Sequence, residues 1–227
     1  MTIGGFQRFT LSDFPGRVAA IVFTQGCNFR CPYCHNASLI PATPPPGRAV
    51  PERYVLDCLR ARAGRIDGVV VTGGEPTVQD DLPLFLRAIR EIGLAVKLDT
   101  NGGRPDVIRR LVGEGLVDFI AMDVKGPLER YRRCAGVPVP PEAIAESMEI
   151  VSGGGVEHEF RTTVMEGLLS GSDLEAVARL IPPGSPHRLQ PCRPPSRSRS
   201  EGDPVWTGAR SSASGASSTS ITTPPAS

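Results

Sequence analysis

Three cysteines in one short stretch are the residues of this chain best suited to chemistry. Cys27, Cys31 and Cys34 have the spacing C-x3-C-x2-C and follow directly after the apolar run 18–23. A strand that delivers three thiols into one tight loop favours a metal or iron–sulfur site over disulfides. Four cysteine thiolates usually hold an iron–sulfur cluster, so three predict a cluster with one iron open to another ligand. A zinc knuckle completed by His35 is the alternative.

A second group of residues, Gly73-Gly74-Glu75, follows the next predicted strand. Two adjacent glycines let a backbone approach a ligand closely, because no side chain stands in the way. Glu75 would offer a carboxylate, and the glycines would offer carbonyl oxygens, to an ammonium group. Taken alone, the same residues would also fit a plain tight turn.

Charged and amide residues follow two later strands. Asp99 and Asn101 come after one strand, and Asp123 and Lys125 come after the next. Two carboxylates at one mouth repel each other unless a cation lies between them, and Lys125, a cofactor ammonium or a metal cation could supply that charge. Arg161, on a further strand, would reach a cofactor carboxylate or ribose, because arginine binds carboxylates in a bidentate manner. In isolation these residues would also fit helix caps or surface pairs.

Hydrophobic periodicity predicts the elements that position these groups. Strands are predicted at 18–24, 68–72, 94–99, 117–123 and 156–164. Helices are predicted at 52–63, 81–92, 105–114 and 142–152, followed by a last helix capped by Ser172. No regular element is predicted for residues 1–17, which include a turn at 12–16, or for the proline-rich connection 35–51.

The alternation of strands and helices predicts an α/β fold with a parallel sheet and right-handed crossovers. Polar residues gather just after the strands, as they do at the active-site rim of a β/α barrel. Five or six units are too few for eight strands, so we expect an open, partial TIM-like barrel of the (β/α)6 type. The alternative, a doubly wound sheet, would not bring every strand end to one mouth.

Length, charge and composition set the remaining bounds. The chain has 227 residues and a formal net charge of +1, which gives no electrostatic reason to expect a nucleic-acid or membrane partner. It has no apolar run of roughly 18 residues and no signal-like start, so we expect a cytoplasmic protein with reduced thiols. We expect one domain at 1–190 and a disordered Ser/Pro-rich tail at 191–227, whose abrupt start suggests a frameshift or a lost segment.

The cysteine loop, with the aromatic Tyr33 before its last cysteine, resembles the signature of the radical S-adenosylmethionine (radical SAM) superfamily. The order of motifs over residues 1 to about 192 resembles the glycyl-radical-enzyme activases. It is most similar to the activating proteins of anaerobic ribonucleoside-triphosphate reductase, and pyruvate formate-lyase activase is a near relative. The motifs that carry this likeness are Gly4–Gln7, Ser12–Gly16, Thr24–Asn28, Cys34–Asn36, Thr72–Pro76, Asp99–Gly102 and Asp123–Lys125.

The resemblance implies a 4Fe–4S cluster on the three cysteines, with S-adenosylmethionine as the ligand of the open iron. It implies reductive cleavage of that cofactor and formation of a glycyl radical on a partner enzyme, with a one-electron donor such as flavodoxin or ferredoxin. No catalytic residue beyond the cluster and cofactor is implied, and His35 would brace the loop. The expected cofactor-binding residues are Tyr33, Gly73, Gly74, Glu75, Asp99, Asn101, Asp123, Lys125 and Arg161.

Two other functions stay open at this point. The first is a radical SAM enzyme that acts on a small molecule, as the 7-carboxy-7-deazaguanine synthases do. The second is a zinc module without enzymatic activity. The remaining cysteines, Cys58, Cys134 and Cys192, lack a cysteine partner at short spacing, so we expect them to be structural or incidental.

Overall fold

The computed structural model describes residues 1–192, and within them seven strands form one sheet in the order β1 to β7. Strand β1 pairs with β2 in antiparallel orientation, and β2 to β7 are parallel. In these residues β1 and β7 are the two edges, so the sheet is open. The strands are β1 (Ile3–Thr10), β2 (Ala19–Thr24), β3 (Gly68–Gly73), β4 (Ala95–Thr100), β5 (Phe119–Asp123), β6 (Glu157–Val164) and β7 (His187–Pro191).

Helices connect the parallel strands, and their apolar residues share one core with one side of the sheet. Prolines at the first turns of several helices fit there because the first helical N–H groups need no partner within the helix. Six parallel strands with connecting helices form the expected open, partial (β/α)6-type barrel. The helices are α1 (Glu52–Arg60), α2 (Leu82–Glu91), α3 (Pro105–Gly113), α4 (Tyr131–Ala135), α5 (Pro141–Gly153) and α6 (Gly171–Leu180).

The predicted strands and long helices are present within a few residues of their expected limits, and four local assignments need correction. The sequence analysis assigned no element to residues 1–17, but Ile3–Thr10 form β1, whose two glycines weaken the sequence signal for a strand. Helix α6 is capped by Ser170 and not by Ser172, because Ser170 and Asp173 form a reciprocal capping box. The short helix α4 and the edge strand β7 were not predicted.

The two sides of the sheet have different contents. In β4, Val96 and Leu98 belong to the core shared with the helices. Lys97 and Asp99 alternate with them, so they point to the opposite side. There a smaller apolar cluster that includes Phe14 and Phe119 fills the space, and Lys97 Nζ lies 5.7 Å from the Phe119 ring centroid. The side without the helices therefore carries the charged residues of the strands.

None of the helices within residues 1–192 is long and apolar enough to cross a membrane. Cys27, Cys31, Cys34, Cys58 and Cys134 are free thiols. The predictions for the Ser/Pro-rich tail fall, from residue 193 onward, outside the described residues.

Candidate active site

One cavity of about 240 Å³ lies at the carboxyl ends of β2 to β6. Every residue that the sequence analysis assigned to a cluster or a cofactor lines it, although those residues come from five separate parts of the chain. They are Cys27, Cys31, Tyr33, Cys34, Gly73, Gly74, Glu75, Asp99, Asn101, Asp123, Lys125 and Arg161. Parallel strands bring these distant residues together because their carboxyl ends share one edge of the sheet.

The cysteine loop begins where β2 ends and is held from outside by the irregular connection that follows it. The buried side chain of Gln25 donates hydrogen bonds to the carbonyls of Ser38 (3.1 Å) and Pro41 (2.7 Å). The backbone N–H of Cys27 donates to the carbonyl of Ile40 (3.1 Å). Gly26 has φ +95°, a conformation that glycine adopts without strain. These bonds fix the start of the loop before its first thiol.

The thiols of the loop are partly buried, and burial affects the protonation of Cys27 and Cys31. Burial raises the pKa of Cys27 to about 11, although the backbone N–H of Phe29 donates to its sulfur (3.3 Å). Burial also raises the pKa of Cys31, while nearby Lys125 acts in the opposite direction. Because metals bind the thiolate, a cation at this position would favour the deprotonated form that burial disfavours.

Gly73, the last residue of β3, and Gly74 allow the ends of β2 and β3 and the loops that follow them to touch. Gly73 has φ +120°, and a Cβ on it would collide with the backbone of Thr24. A Cβ on Gly74 would collide with the carbonyl of Gly26. The N–H of Glu75 donates to that same carbonyl (2.8 Å). The structure therefore gives these glycines a packing reason that the sequence analysis did not include.

Glu75 is 1% exposed, and most of its carboxylate is used within the protein. Its Oε1 accepts hydrogen bonds from the Thr77 N–H (3.1 Å) and from the hydroxyls of Thr77 (2.7 Å) and Thr100 (2.7 Å). Its Oε2 accepts from the Asn101 N–H (2.7 Å), so one lone pair of Oε2 remains. Burial raises the pKa of Glu75, and these donors oppose the rise. Its carboxylate thus joins the ends of β3 and β4 in addition to facing the cavity.

Five alternating charges form a chain along the cavity, and all of them except Lys97 line it. Lys97 Nζ lies 2.5 Å from Asp99 Oδ1, and Arg161 Nη1 lies 3.2 Å from Asp99 Oδ2. Arg161 Nε donates to Asp123 Oδ1 (2.8 Å), and Lys125 Nζ donates to Asp123 Oδ2 (2.8 Å). Arg161 is therefore the cation between the two carboxylates, a place for which the sequence analysis named Lys125, a cofactor ammonium or a metal. The sequence analysis expected Arg161 to reach a cofactor and did not predict its ion pairs with Asp99 and Asp123.

The ionic network keeps Asp123, Lys125 and Arg161 charged despite their burial. Burial alone would raise the pKa of Asp123, but Arg161 and Lys125 outweigh it and hold that pKa well below its ordinary range. Burial lowers the pKa values of Lys125 and Arg161, and the aspartates reverse this and raise both. The network contains three cations and two anions, so this wall has an excess of positive charge.

Asn101 joins the two walls of the cavity. Its side-chain Nδ2 donates to Asn28 Oδ1 (2.8 Å) and lies 4.0 Å from Cys27 Sγ. Its Oδ1 accepts from the N–H of Gly103 (2.8 Å). The cysteine loop is thus attached to the end of β4 by side chains that the motif spacing alone did not connect.

Several site residues were missed by the sequence analysis. Lys97 is 2% exposed. The pattern that could have identified it is a charged residue inside an apolar strand, two positions before Asp99 and hence on the same face. Thr163 lies two positions after Arg161 and lines the cavity for the same reason. Gln190 of β7 also lines it, but no motif marked that strand.

Within residues 1–192, no group of three His, Cys, Asp or Glu side chains is arranged to hold a single metal ion. Such a group would bind one ion with several side chains at once. In a 4Fe–4S cluster, each cysteine binds a different iron.

A comparison with protein families gives the identity of the chain. The family model described as the Radical SAM superfamily matches residues 21–181, which include the three cysteines and all the strands from β2 to β6 except the first two residues of β2. The chain belongs to the radical SAM superfamily. It is therefore a radical SAM enzyme, and its cofactors are a 4Fe–4S cluster and S-adenosylmethionine.

Relatives within the superfamily differ in how much of the chain they match. A Methanocaldococcus jannaschii protein with the provisional name of glycyl-radical enzyme activating enzyme is 32% identical over 185 residues, which is 79% of this chain and 75% of that protein. The 7-carboxy-7-deazaguanine synthase of Rhodospirillum rubrum is 42% identical over 90 residues. That match covers 39% of this chain and 36% of the synthase.

Among solved structures, SuiB of Streptococcus suis bound to S-adenosylmethionine has the same fold, with a TM-score of 0.57 at 15% identity. The match covers 74% of this chain and 39% of SuiB. Since the chain spans only about two fifths of that protein, the likeness concerns the radical SAM fold alone.

The residues around the cavity fit the two cofactors of the superfamily. Three thiols on one loop supply the donor set of a cluster that leaves one iron open. Tyr33 also lines the cavity, and within the described residues its hydroxyl is buried without a hydrogen-bond partner. A buried hydroxyl left unpaired by the protein is suited to a polar ligand.

Proposed function

We propose that this chain is a glycyl-radical-enzyme activase that holds its cluster on Cys27, Cys31 and Cys34. The observation that carries the activase proposal is the match with the Methanocaldococcus jannaschii relative, which extends over 185 residues and 75% of that protein. The motif order supports it, because the resemblance seen in the sequence also covers nearly all of the described residues. The partner that best fits those motifs is an anaerobic ribonucleoside-triphosphate reductase, and a pyruvate formate-lyase is the alternative within the same class.

The cofactors, when bound, would supply the hard chemistry, which is one-electron reductive cleavage of S-adenosylmethionine and removal of a hydrogen atom from a glycine of the partner. The protein binds and orients the reactants. The GG-Glu turn offers backbone carbonyls and the free lone pair of Glu75 to the cofactor ammonium group. Tyr33 and Asn101 lie on the cysteine side of the cavity, where they would contact the nucleoside.

The charged wall would hold the polar groups of the cofactor. Lys125 and Arg161 lie at the cavity surface with excess positive charge, so they suit the carboxylate of S-adenosylmethionine. Asp99 and Asp123 have oxygens that accept hydrogen bonds, so they suit the ribose hydroxyls. Since both aspartates are already paired, the ion pairs hold these side chains in place before a ligand arrives.

A second function, action on a small molecule, has one specific observation in its favour. The identity to the Rhodospirillum rubrum 7-carboxy-7-deazaguanine synthase is 42%, higher than that to the archaeal relative, but it extends over only 90 residues. The synthase match covers 39% of this chain, whereas the match with the archaeal relative covers 79%, so we favour the activase. We place the protein in the cytoplasm, where oxygen-sensitive clusters and free thiols are kept reduced.

The deciding experiment is anaerobic incubation of the reconstituted protein with dithionite, S-adenosylmethionine and a candidate anaerobic ribonucleoside-triphosphate reductase. We expect a glycyl-radical doublet in the paramagnetic resonance spectrum of the reductase. A pyruvate formate-lyase in a parallel sample distinguishes the two partners. Cofactor cleavage without a radical on either enzyme, together with turnover of a pterin-like small molecule, would instead support the synthase-like function.

A further inference from the structure

The outer side of the cysteine loop carries a basic surface that lies outside the cavity. It consists of Arg30, in the loop itself, and Arg132 and Arg133, on α4, and we call it the loop–α4 surface. All three arginines are exposed, and none of them lines the cavity. The formal net charge of the whole chain is only +1, so this is a local concentration of positive charge.

Helix α4 packs directly on the cysteine loop. The N–H of Arg30 donates to the carbonyl of Ala135 (2.8 Å), the last residue of the helix. Gly136 follows with φ +73°, and a Cβ there would collide with the carbonyl of Arg30. The rings of Phe29 and Tyr131 meet edge to face with centroids 6.4 Å apart. The exposed side of α4 is therefore a direct continuation of the loop that carries Cys31.

The positive charges of the loop–α4 surface are not neutralised by carboxylates of the described residues. Arg30 Nη1 donates to the carbonyls of Cys27 (2.6 Å) and Phe29 (2.8 Å), which are neutral acceptors. Arg133 Nη2 donates to the carbonyl of Gly167 (2.9 Å), also a neutral acceptor. Within residues 1–192 no acidic side chain forms an ion pair with any of the three. The neighbouring Arg130 differs, because Asp173 binds it at 2.8 Å.

From this surface we infer that α4 and the cysteine loop form the docking site of a small acidic protein that carries one electron. The inference rests on the proposed function, because it requires a cluster on Cys27, Cys31 and Cys34. One electron passes from the reduced carrier to the cluster, so the carrier is oxidised by one electron and the cluster is reduced by one. No bond and no proton is transferred in this step.

Position and charge both favour such a partner. The inner side of the three cysteines faces the residues expected to bind S-adenosylmethionine, so the outer side of the loop is the side left for a protein donor. Complexes of electron carriers have small interfaces that depend on complementary charge, and that charge raises the rate of encounter. Exposed and uncompensated arginines are suited to this steering, which weakens as salt screens the charges. Glu129, also exposed on this segment, offsets only part of the charge.

The test compares two double charge reversals with the same change in net charge. The first, Arg132→Glu with Arg133→Glu, reverses the charge of α4 without changing a cavity residue. The matched control, Arg65→Glu with Arg179→Glu, changes two exposed arginines near the amino ends of β3 and β7, away from the cavity. Binding of a plant-type ferredoxin to each reconstituted protein is measured by calorimetry over a salt series. Cofactor cleavage is then measured with reduced ferredoxin and, separately, with dithionite.

We expect wild type and the control to bind ferredoxin with a Kd that rises with salt, and the α4 variant to bind about ten-fold more weakly with a smaller salt dependence. Iron content, melting temperature and dithionite-driven cleavage should be equal in all three proteins. Salt-independent or absent binding in wild type, or equal binding by the two variants, would overturn the inference. So would loss of partner activation with dithionite in the α4 variant, which would assign the surface to the glycyl-radical enzyme. Failure of dithionite-driven cleavage in wild type would instead contradict the proposed function.

Discussion

The two walls of the cavity are built in opposite ways. The cysteine wall comes from eight consecutive residues, Cys27 to Cys34, and its reactive atoms are three partly buried thiols. The strand wall comes from β4, β6 and the end of β5, and its charged groups are three cations and two anions joined by direct contacts. On the cysteine wall the effect of burial on the pKa of Cys27 and Cys31 outweighs that of nearby Lys125, whereas the strand wall contains its own counter-ions.

This difference determines what each wall requires. Thiols become good ligands only when a metal supplies positive charge, so the cysteine wall depends on its cluster. Charged groups in a partly buried place must be paired to remain there, so the strand wall depends on its internal ion pairs. Substitutions should therefore affect cluster content on one wall and protein stability on the other.

The largest effect is expected on the cysteine wall. Replacing Cys31 by Ala removes one of three thiolates, and two are not enough to keep a 4Fe–4S cluster in place. We expect iron content after anaerobic reconstitution to fall from about four irons per chain to background, with no cofactor cleavage. The melting temperature of the metal-free protein should change little. Cys58→Ala, on helix α1, is the matched control and should retain full iron content; an iron-loaded and active Cys31 variant would refute the assignment.

The next effect is expected on the strand wall. Arg161→Met removes the guanidinium from between Asp99 and Asp123 and leaves two poorly separated carboxylates. The cost of breaking a buried ion pair by removing one partner predicts a loss of about 3 kcal/mol in the free energy of unfolding at pH 7. Denaturant titration of the metal-free protein measures it. Arg179→Met, an exposed arginine on α6, should change that free energy by less than about 0.5 kcal/mol.

The effect of Arg161→Met should depend on pH in a defined direction. In the native protein the pKa of Asp123 is held well below its ordinary range, so its stabilising contribution is present above the unfolded pKa of about 4 and is lost as pH falls below it. Without Arg161 that contribution is smaller. The difference in unfolding free energy between wild type and variant should thus be largest near pH 7 and should narrow below about pH 4. A constant difference across this range would show that charge is not what Arg161 supplies.

The same contrast explains how much could be predicted from the sequence. The cysteine wall was predictable because its ligands and spacing lie in one stretch, and the parallel strands were predictable from alternating apolar runs. The pairing of Arg161 with both aspartates was not, since it depends on the register of β5 and β6, which places Asp123 opposite Arg161. Strand β1 was missed because Gly4 and Gly5 weaken its pattern, and the capping box at Ser170 was assigned two residues too late.

The burial of Lys97 is a second example of a feature that depends on strand pairing and could not be predicted from the sequence. A lysine in the sequence is usually expected at the surface. Here it is 2% exposed, because Asp99 neutralises it and the Phe119 ring accommodates its ammonium group. Both partners are on the same side of the sheet, and neither relation is visible until strand pairing is known. Sequence patterns thus indicated the candidate ligand-binding groups, and the structure was needed to find the side chains that hold those groups in place.

The smallest expected effect is a difference in stability between variants of two buried tyrosines. The Tyr33 hydroxyl is available to a ligand, whereas the Tyr131 hydroxyl is bonded within the fold. Tyr33 and Tyr131 are both buried, but within the described residues the Tyr33 hydroxyl has no hydrogen-bond partner, while the Tyr131 hydroxyl accepts from the Lys125 N–H (3.2 Å). An unpaired buried hydroxyl costs free energy, so Tyr33→Phe should stabilise the metal-free protein by about 1 kcal/mol. Tyr131→Phe should destabilise it by a similar amount.

Binding of S-adenosylmethionine to the reconstituted protein provides the second half of this test. If the Tyr33 hydroxyl binds a polar group of the cofactor, Tyr33→Phe should weaken S-adenosylmethionine binding by roughly five-fold, since about 1 kcal/mol corresponds to that factor. Equilibrium binding to the reconstituted protein measures this, with Tyr131→Phe as the control that changes stability without contacting the cavity. A Tyr33→Phe protein that is less stable and binds the cofactor normally would mean that the hydroxyl already has a partner in the fold. Tyr33→Phe can raise stability and lower cofactor affinity only if the fold leaves the hydroxyl unpaired and a ligand pairs it. That property distinguishes the cysteine wall from the strand wall, whose charged groups are already paired within the fold.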